Sequence, residues 1–205
     1  MLSVARKKAQ CAPKNVDINL IQGDLLKKLP FDNNAFDAII INQVLHHLTD
    51  INQPTREKQL ENVQNLLHEF RRVLKNGGVL CINTTSHSQN AALWYSSLTG
   101  EKVDRLLKRV PDVSELKKLL LKAGFINVDT VLDKEPTFGE KHFEYEQAFD
   151  ADYRKGDSTF VLASSEEIED ALSRLRELLK DRDSYDKKER DIFDKEGCTT
   201  EIFAV

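Results

Sequence analysis

Cysteine is scarce in this chain of 205 residues: Cys11, Cys81 and Cys198 stand far apart, with no C-x-x-C pair and no nearby histidine partner. That excludes the common zinc spacings, argues against a disulfide framework and suits a reducing compartment. Long apolar runs are missing too. None reaches the length of a membrane-spanning helix, and the first ten residues lack the apolar core of a secretory signal, so a cytoplasmic protein away from membranes is expected. Positive charge is not in excess, since 30 Lys and Arg against 34 Asp and Glu give a net charge of -4. A general nucleic-acid surface is therefore not indicated. There is no Ser-His-Asp order, kinase loop or Walker motif, no internal repeat and no low-complexity segment. The paired Gly77-Gly78 reads as a turn and does not cradle a phosphate.

What is present is an ordinary globular composition, 40% hydrophobic and 31% charged, in a length that suits one domain with a proper core. The most informative stretch is Val16 to Leu48. Two apolar runs in it, Ile18-Asn19-Leu20-Ile21 and Ala38-Ile39-Ile40-Ile41, have strand length and β-branched content. Each stops at polar residues, Gly23-Asp24 after the first and Asn42-Gln43 after the second. The second run is apolar without alternation, as expected of a parallel strand with helices on both faces. Ligands of open parallel sheets sit outside the carboxyl ends of the strands, which points to Asp24 and Asn42.

The rest of the chain alternates between helical and extended patterns. A short helical segment runs from Met1 to Ala9. Thr55 to Lys75 is an amphipathic helix with Leu60, Val63, Leu67, Phe70 and Leu74 on one stripe and Gly77 as its stop. Val79 to Thr84 follows as a strand. Ser86 to Val110 holds His87, Trp94 and Tyr95, then a basic helical piece around Lys102 to Arg109. Asp112 and Glu115 have capping-box spacing at the start of a helix that ends at Gly124. Phe125 to Leu132 reads as a strand, and Glu135 to Asp157 as an aromatic, charged connection with Phe138, His142, Phe143, Tyr145, Phe149 and Tyr153. Thr159 to Ala163 reads as a last strand. Ser164 and Glu167 cap a final helix with Ile168, Leu172, Leu175 and Leu179 as its stripe, and Asp181 to Lys195 as an exposed helix or frayed tail.

Several short motifs in this order resemble class I S-adenosylmethionine-dependent methyltransferases, in particular the broad type 11 group. They are Gly23-Asp24, Leu29-Pro30-Phe31 before the turn at Asp32-Asn33-Asn34, Phe36-Asp37, Val44-Leu45-His46-His47-Leu48, and Leu74-Lys75-Asn76-Gly77-Gly78-Val79-Leu80. The match runs from Met1 to about Ser86 and more loosely to Ala163. The resemblance implies an α/β, Rossmann-like, mostly parallel sheet with helices on both faces. It also implies S-adenosylmethionine as cofactor, a small-molecule methyl acceptor and an antiparallel last strand. The family's first two strands and G-x-G-x-G loop would lie before Met1, so the fold is expected to be incomplete at the N-terminus. Residues 1–163 then form a partial methyltransferase domain, and 164–205 a C-terminal amphipathic helix and charged tail. A chain starting at Met1 is expected to self-associate through its bare strand edge and to bind no cofactor.

The resemblance places the cofactor against Gly23, Asp24, Leu25, Asn42, Gln43, Val44 and His47. Asp24 would accept a hydrogen bond from the adenine amine, with the Leu25 backbone at the ring nitrogen. Otherwise its carboxylate caps the next turn. Asn42 and Gln43 either flank the methionine part of the cofactor or are merely a polar strand end. Adjacent His46 and His47 make a poor metal pair on a helix. His47 lines the pocket, takes a proton from the acceptor, or is structural. Trp94, Tyr95 and the aromatic residues from Phe138 to Tyr153 are either core or an acceptor pocket. No catalytic residue is assigned and no metal is needed. The rivals to a methyltransferase are a non-catalytic, degenerate half acting as a partner subunit, and a nucleotide-dependent oxidoreductase on the same kind of sheet.

Overall fold

The computed structural model describes residues 2–48, 55–99, 110–136, 139–156, 158–161 and 163–205. The basic piece at Lys102 to Arg109 and Phe138 lie outside the described residues. A four-stranded mixed sheet organises the chain. Its strands are β1 (Phe36–Asn42), β2 (Leu74–Thr84), β3 (Val128–Asp133) and β4 (Thr199–Ala204), in the order β1-β2-β4-β3. β1 and β2 are parallel, and β4 runs antiparallel to both of its neighbours.

Register decides which side chains make the core. Ile39, Leu80, Ala204 and Val128 are aligned across the strands, as are Ile41, Ile82, Ile202 and Thr130, so these rows share one face. Helix α1 (Leu2–Ala9) opens the chain, and helix α2 (Arg56–Val73) and a later helix, Val113–Lys122, cover that face with Val63, Leu66, Leu67, Phe70, Leu116 and Leu120. Each such leucine or phenylalanine contributes about 1.5–3 kcal/mol when fully buried. In the opposite row of Ile40, Cys81 and Phe203, Ile40 is 76% exposed while Cys81 and Phe203 are half-buried. The unbroken apolar run of Ala38 to Ile41 therefore has one buried side.

α2 starts where Thr55 accepts a hydrogen bond from the Lys58 amide, with Glu57 in its first turn and Arg71 and Arg72 in its last. It ends at Val73, before the glycine expected to stop it, because Leu74 is already extended and paired with Phe36. Gly77 instead takes a left-handed φ of 78° inside an irregularity of β2, where the register jumps between Phe36 and Ala38. Gly78 beside it has no room for a side chain, since a Cβ there would lie 3.0 Å from the Asp37 carbonyl oxygen. Arg72 fixes the chain that leads into β1. Its guanidinium donates to the carbonyls of Leu29 and Phe31 and to Asn33 Oδ1, and Glu69 accepts from the Leu29 amide. The hydrogen bond from Arg72 holds the Glu69 carboxyl below the usual carboxylate range.

Two sequence assignments change, Ile18 to Ile21 and Thr159 to Ala163. Ile18 to Ile21 is an exposed irregular segment, because no strand lies beside it among the described residues to pair its backbone. Thr159 to Ala163 is not a strand: Ser158–Val161 is a short helix that buries Phe160. The antiparallel last strand is instead β4 at the end of the chain, so the sheet draws on residues from both sides of position 163. The tail from Asp181 is ordered as the helix Arg182–Glu196. Charge dominates its sequence, yet Phe193 and Glu189 are both buried.

That helix closes a second core of Leu93, Trp94, Leu98, Phe143, Tyr145, Phe160, Ala171 and Leu175. Trp94 meets Tyr145 edge-to-face at 5.5 Å. Glu189, 3% exposed, is the polar centre. Its carboxylate accepts from the Trp94 amide at 2.9 Å, lies 3.1 Å from His142 Nε2, and accepts the Tyr145 hydroxyl at 2.9 Å.

Glu189→Ala would leave buried donors without partners, and is expected to lower stability by about 3 kcal/mol in denaturant unfolding. Burial, followed by the charge of Glu189, pushes the Tyr145 hydroxyl far above the ordinary tyrosine range. A raised pKa in the folded state leaves stability intact below the unfolded value and removes it above, so stability falls from about pH 10 upward. Tyr145→Phe should flatten that alkaline decline; an unchanged profile would show that another group causes it.

Candidate functional site

The carboxyl ends of the parallel strands β1 and β2 lie side by side, with Asn42 opposite Asn83 in register. This is where an open α/β sheet receives a ligand. Asn42 is exposed. Gln43 next to it has a φ of 50°, and only Asn34 among the other described non-glycine residues is also positive. A left-handed conformation disfavours a residue with a Cβ by about 1–2 kcal/mol. Three hydrogen bonds offset this. The Gln43 amide donates to the Asn83 carbonyl at 3.1 Å, and its side-chain Nε2 donates to Asn83 Oδ1 at 2.8 Å and Thr85 Oγ1 at 3.4 Å.

The network continues into the rest of the fold. Asn83 Nδ2 donates to Thr199 Oγ1 at 3.2 Å, and Thr200 Oγ1 donates to Gln89 Oε1 at 3.0 Å. Gln89 Oε1 also accepts from the Ser86 amide, completing a capping box on the helix His87–Ala92. His87 opens that helix, with its amide donating to Asp112 Oδ1 and its Nε2 2.8 Å from the Val110 carbonyl. A carbonyl only accepts, so that ring nitrogen carries a proton.

The other sequence-derived candidates are placed differently. Asp24 is exposed. Its Oδ1 accepts from the Leu26 amide at 3.0 Å and its Oδ2 lies 3.5 Å from Lys27. Gly23 has open space where a side chain would project. Leu25 and Val44 pack against the main core. His47 is exposed in the 3-10 turn Leu45–Leu48, where its amide donates to the Val44 carbonyl. The His46 side chain lies outside what is described. The structure thus brings Asn42, Gln43 and Val44 together at the end of β1, while the polar contacts of Asp24 are to Leu26 and Lys27 beside it. Asn83, Thr85 and Thr199 were not singled out from sequence. The run Asn83-Thr84-Thr85 after an apolar strand carried the same signal as Asn42-Gln43. Thr199 carried none. Trp94 and Tyr145 are core residues, and Trp94 Nε1 donates to the His142 carbonyl.

Residues 1–82 match the methyltransferase domain family. The match covers residues 1–82 of the 205, the part that holds β1 and most of β2. Among solved structures, it is similar to a protein described as a methyltransferase from an antibiotic biosynthesis pathway of Anabaena variabilis. The identity there is 17% and the TM-score 0.63, over 90% of this chain and 72% of that one. At that identity the likeness speaks for the fold. An Archaeoglobus fulgidus SAM-dependent methyltransferase aligns at 16% identity and a TM-score of 0.47, over 93% of this chain and 69% of that one. The Haemonchus contortus phosphoethanolamine N-methyltransferase 2, solved with S-adenosylmethionine, aligns at 18% and 0.41, and the chain covers 88% of itself and 35% of that protein. No curated protein matched. None of the helices among the described residues is long and apolar enough to cross a membrane.

Trp94→Ala is expected to act as a core deletion, lowering stability by about 3–5 kcal/mol in denaturant unfolding. A variant of unchanged stability would return Trp94 to the list of pocket residues.

Proposed function

We propose that this chain contributes the adenine- and methionine-facing strand ends of an S-adenosylmethionine site in an enzyme that methylates a small molecule. The observation that carries the reading is the polar cluster of Asn42, Gln43 and Asn83 at the ends of two parallel strands, the first two of these residues lying in the stretch that matches the methyltransferase domain family. The cofactor supplies a methyl group already activated on a sulfonium, which leaves the protein to bind, orient and exclude water.

The residues present fit such a role. Asp24 is exposed and uses one carboxylate oxygen for the Leu26 amide, so its other lone pairs can accept from an exocyclic amine. Gly23 beside it leaves room for a ring, and the Leu25 backbone follows it. Asn42 presents an amide at the strand end, while Gln43 and Val44 form the turn that would border the methionine part. His47, exposed after that turn, can hold or accept a proton from an acceptor. Three free cysteines, Cys11, Cys81 and Cys198, suit a reducing cytoplasm.

The second reading is a non-catalytic subunit built on the same domain, and ligand binding separates the two. The protein should be expressed with any in-frame sequence that precedes Met1 in its gene and titrated calorimetrically with S-adenosylhomocysteine. Binding is expected, and Asp24→Ala should weaken it about ten- to a hundredfold, as loss of a hydrogen bond to a charged group implies. Unchanged affinity in a folded variant would remove Asp24 from the site. Absence of binding would favour the partner-subunit reading.

A further inference from the structure

We infer that Asn83 and Thr199 are positioning residues that hold Gln43 in its left-handed conformation and so set the turn from Asn42 to Val44. The inference deepens the proposed function, because it rests on reading that turn as ligand-facing. The geometry alone carries the mechanical part. Side chains alternate along a strand, and Asn42 lies on the same face as Asn83, its partner in register. An extended Gln43 would therefore project to the other face, away from Asn83. At φ 50° the chain reverses that sense, and the Gln43 amide group meets Asn83 Oδ1 at 2.8 Å.

Asn83 is able to do this because its own amide is held from the far side. Its Nδ2 donates to Thr199 Oγ1, which fixes which end of the amide faces Gln43. Asn83 pairs with Glu201 in the antiparallel register, which puts Thr199 two residues along β4, diagonally across on the same face. Thr199 is buried, so this contact is shielded from water. A residue at the end of the chain thus orients the group that holds a turn more than 150 positions earlier. A strained, non-glycine turn at the carboxyl end of a strand is kept only where its surroundings over-determine it.

Hydrogen exchange of the purified chain tests the inference without any ligand. Asn83→Ala should raise exchange of the Gln43 amide about tenfold while leaving Ile41 unchanged, as loss of one hydrogen bond implies. Thr199→Val should do the same more weakly. Asn83→Asp should restore protection, since its carboxylate accepts from both Gln43 Nε2 and the Thr199 hydroxyl. In a Gln43→Gly background, where the left-handed turn carries no Cβ penalty, Asn83→Ala should have no further effect on the turn. Equal acceleration at Ile41, no rescue by Asp, or an undiminished effect in the glycine background would each overturn the inference. The same variants in the protein expressed with any in-frame sequence that precedes Met1, titrated with S-adenosylhomocysteine, address the underlying reading separately. If the parent protein binds, Asn83→Ala should weaken it about tenfold and Asn83→Asp should not. If the parent fails to bind, the proposed function falls while the exchange results still decide whether Asn83 and Thr199 hold the turn.

Discussion

The backbone hydrogen bonds of β4 are the constraint on which the rest of this structure depends. Thr199 to Ala204 pairs with β2 on one side and β3 on the other, so the last residues of the chain join its two halves into one sheet. Ile202 and Ala204 are fully buried on the face that α2 covers. Without β4, β2 and β3 would each present unpaired donors and acceptors to the interior edge, and Leu80 and Ile82 would lose their neighbours. A strand that arrives last in sequence but central in space also makes the contacts of this fold long in range, which raises the entropic cost of forming the sheet.

The second core reaches the sheet through the same element. The helix Arg182–Glu196 runs directly into β4, turning at Gly197, where φ is 75° and the Cys198 amide finds the Asp133 carbonyl. A glycine is required at that turn on two counts, its left-handed backbone and the 3.0 Å approach of the Gln89 side chain to any Cβ placed there. Upstream, Glu189 fixes the helix against Trp94, His142 and Tyr145. Arg190 lies over the Phe143 ring at 3.8 Å and pairs with Glu140, which ties the exposed side of the helix to the same aromatic group. Charged residues therefore anchor this helix as much as apolar ones do.

Those anchors explain which parts of the fold could be read from sequence. α2, the helix Val113–Lys122 and strands β1 and β2 follow from apolar periodicity and local signals such as Thr55, Asp112 and the apolar run before Asn42. Three-dimensional pairing decided the rest. Thr199 to Ala204 follows a strongly charged helix and has only Ile202 and Phe203 as bulky apolar residues, so nothing local marks it as central. Thr159 to Val161 has strand-like composition, but its position beside the aromatic cluster makes it helical. Ile18 to Ile21 has strand composition as well, and composition cannot supply the neighbour a strand requires. At the candidate site, the place of Asn42 and Gln43 at the end of β1 was legible because polar residues ending an apolar strand form a local pattern. The contribution of Thr199 was not, because it arises from a register between strands 116 positions apart.

The same long-range dependence bears on the chemistry this sheet can support. A ligand at the carboxyl end of parallel strands is met mainly by backbone and short polar side chains, whose positions are only as exact as the turns that carry them. The turn after β1 is left-handed at a residue that does not favour it, so its shape is a property of its surroundings and not of Gln43. Those surroundings are Asn83 and Thr85 from the neighbouring parallel strand, with Thr199 behind Asn83 on the antiparallel one. Removing the C-terminal strand would therefore disturb the carboxyl end of β1 even though the two strands are not adjacent in the sheet. Completeness of the sheet and shape of the strand-end turn are thus one physical condition, met by the same few hydrogen bonds.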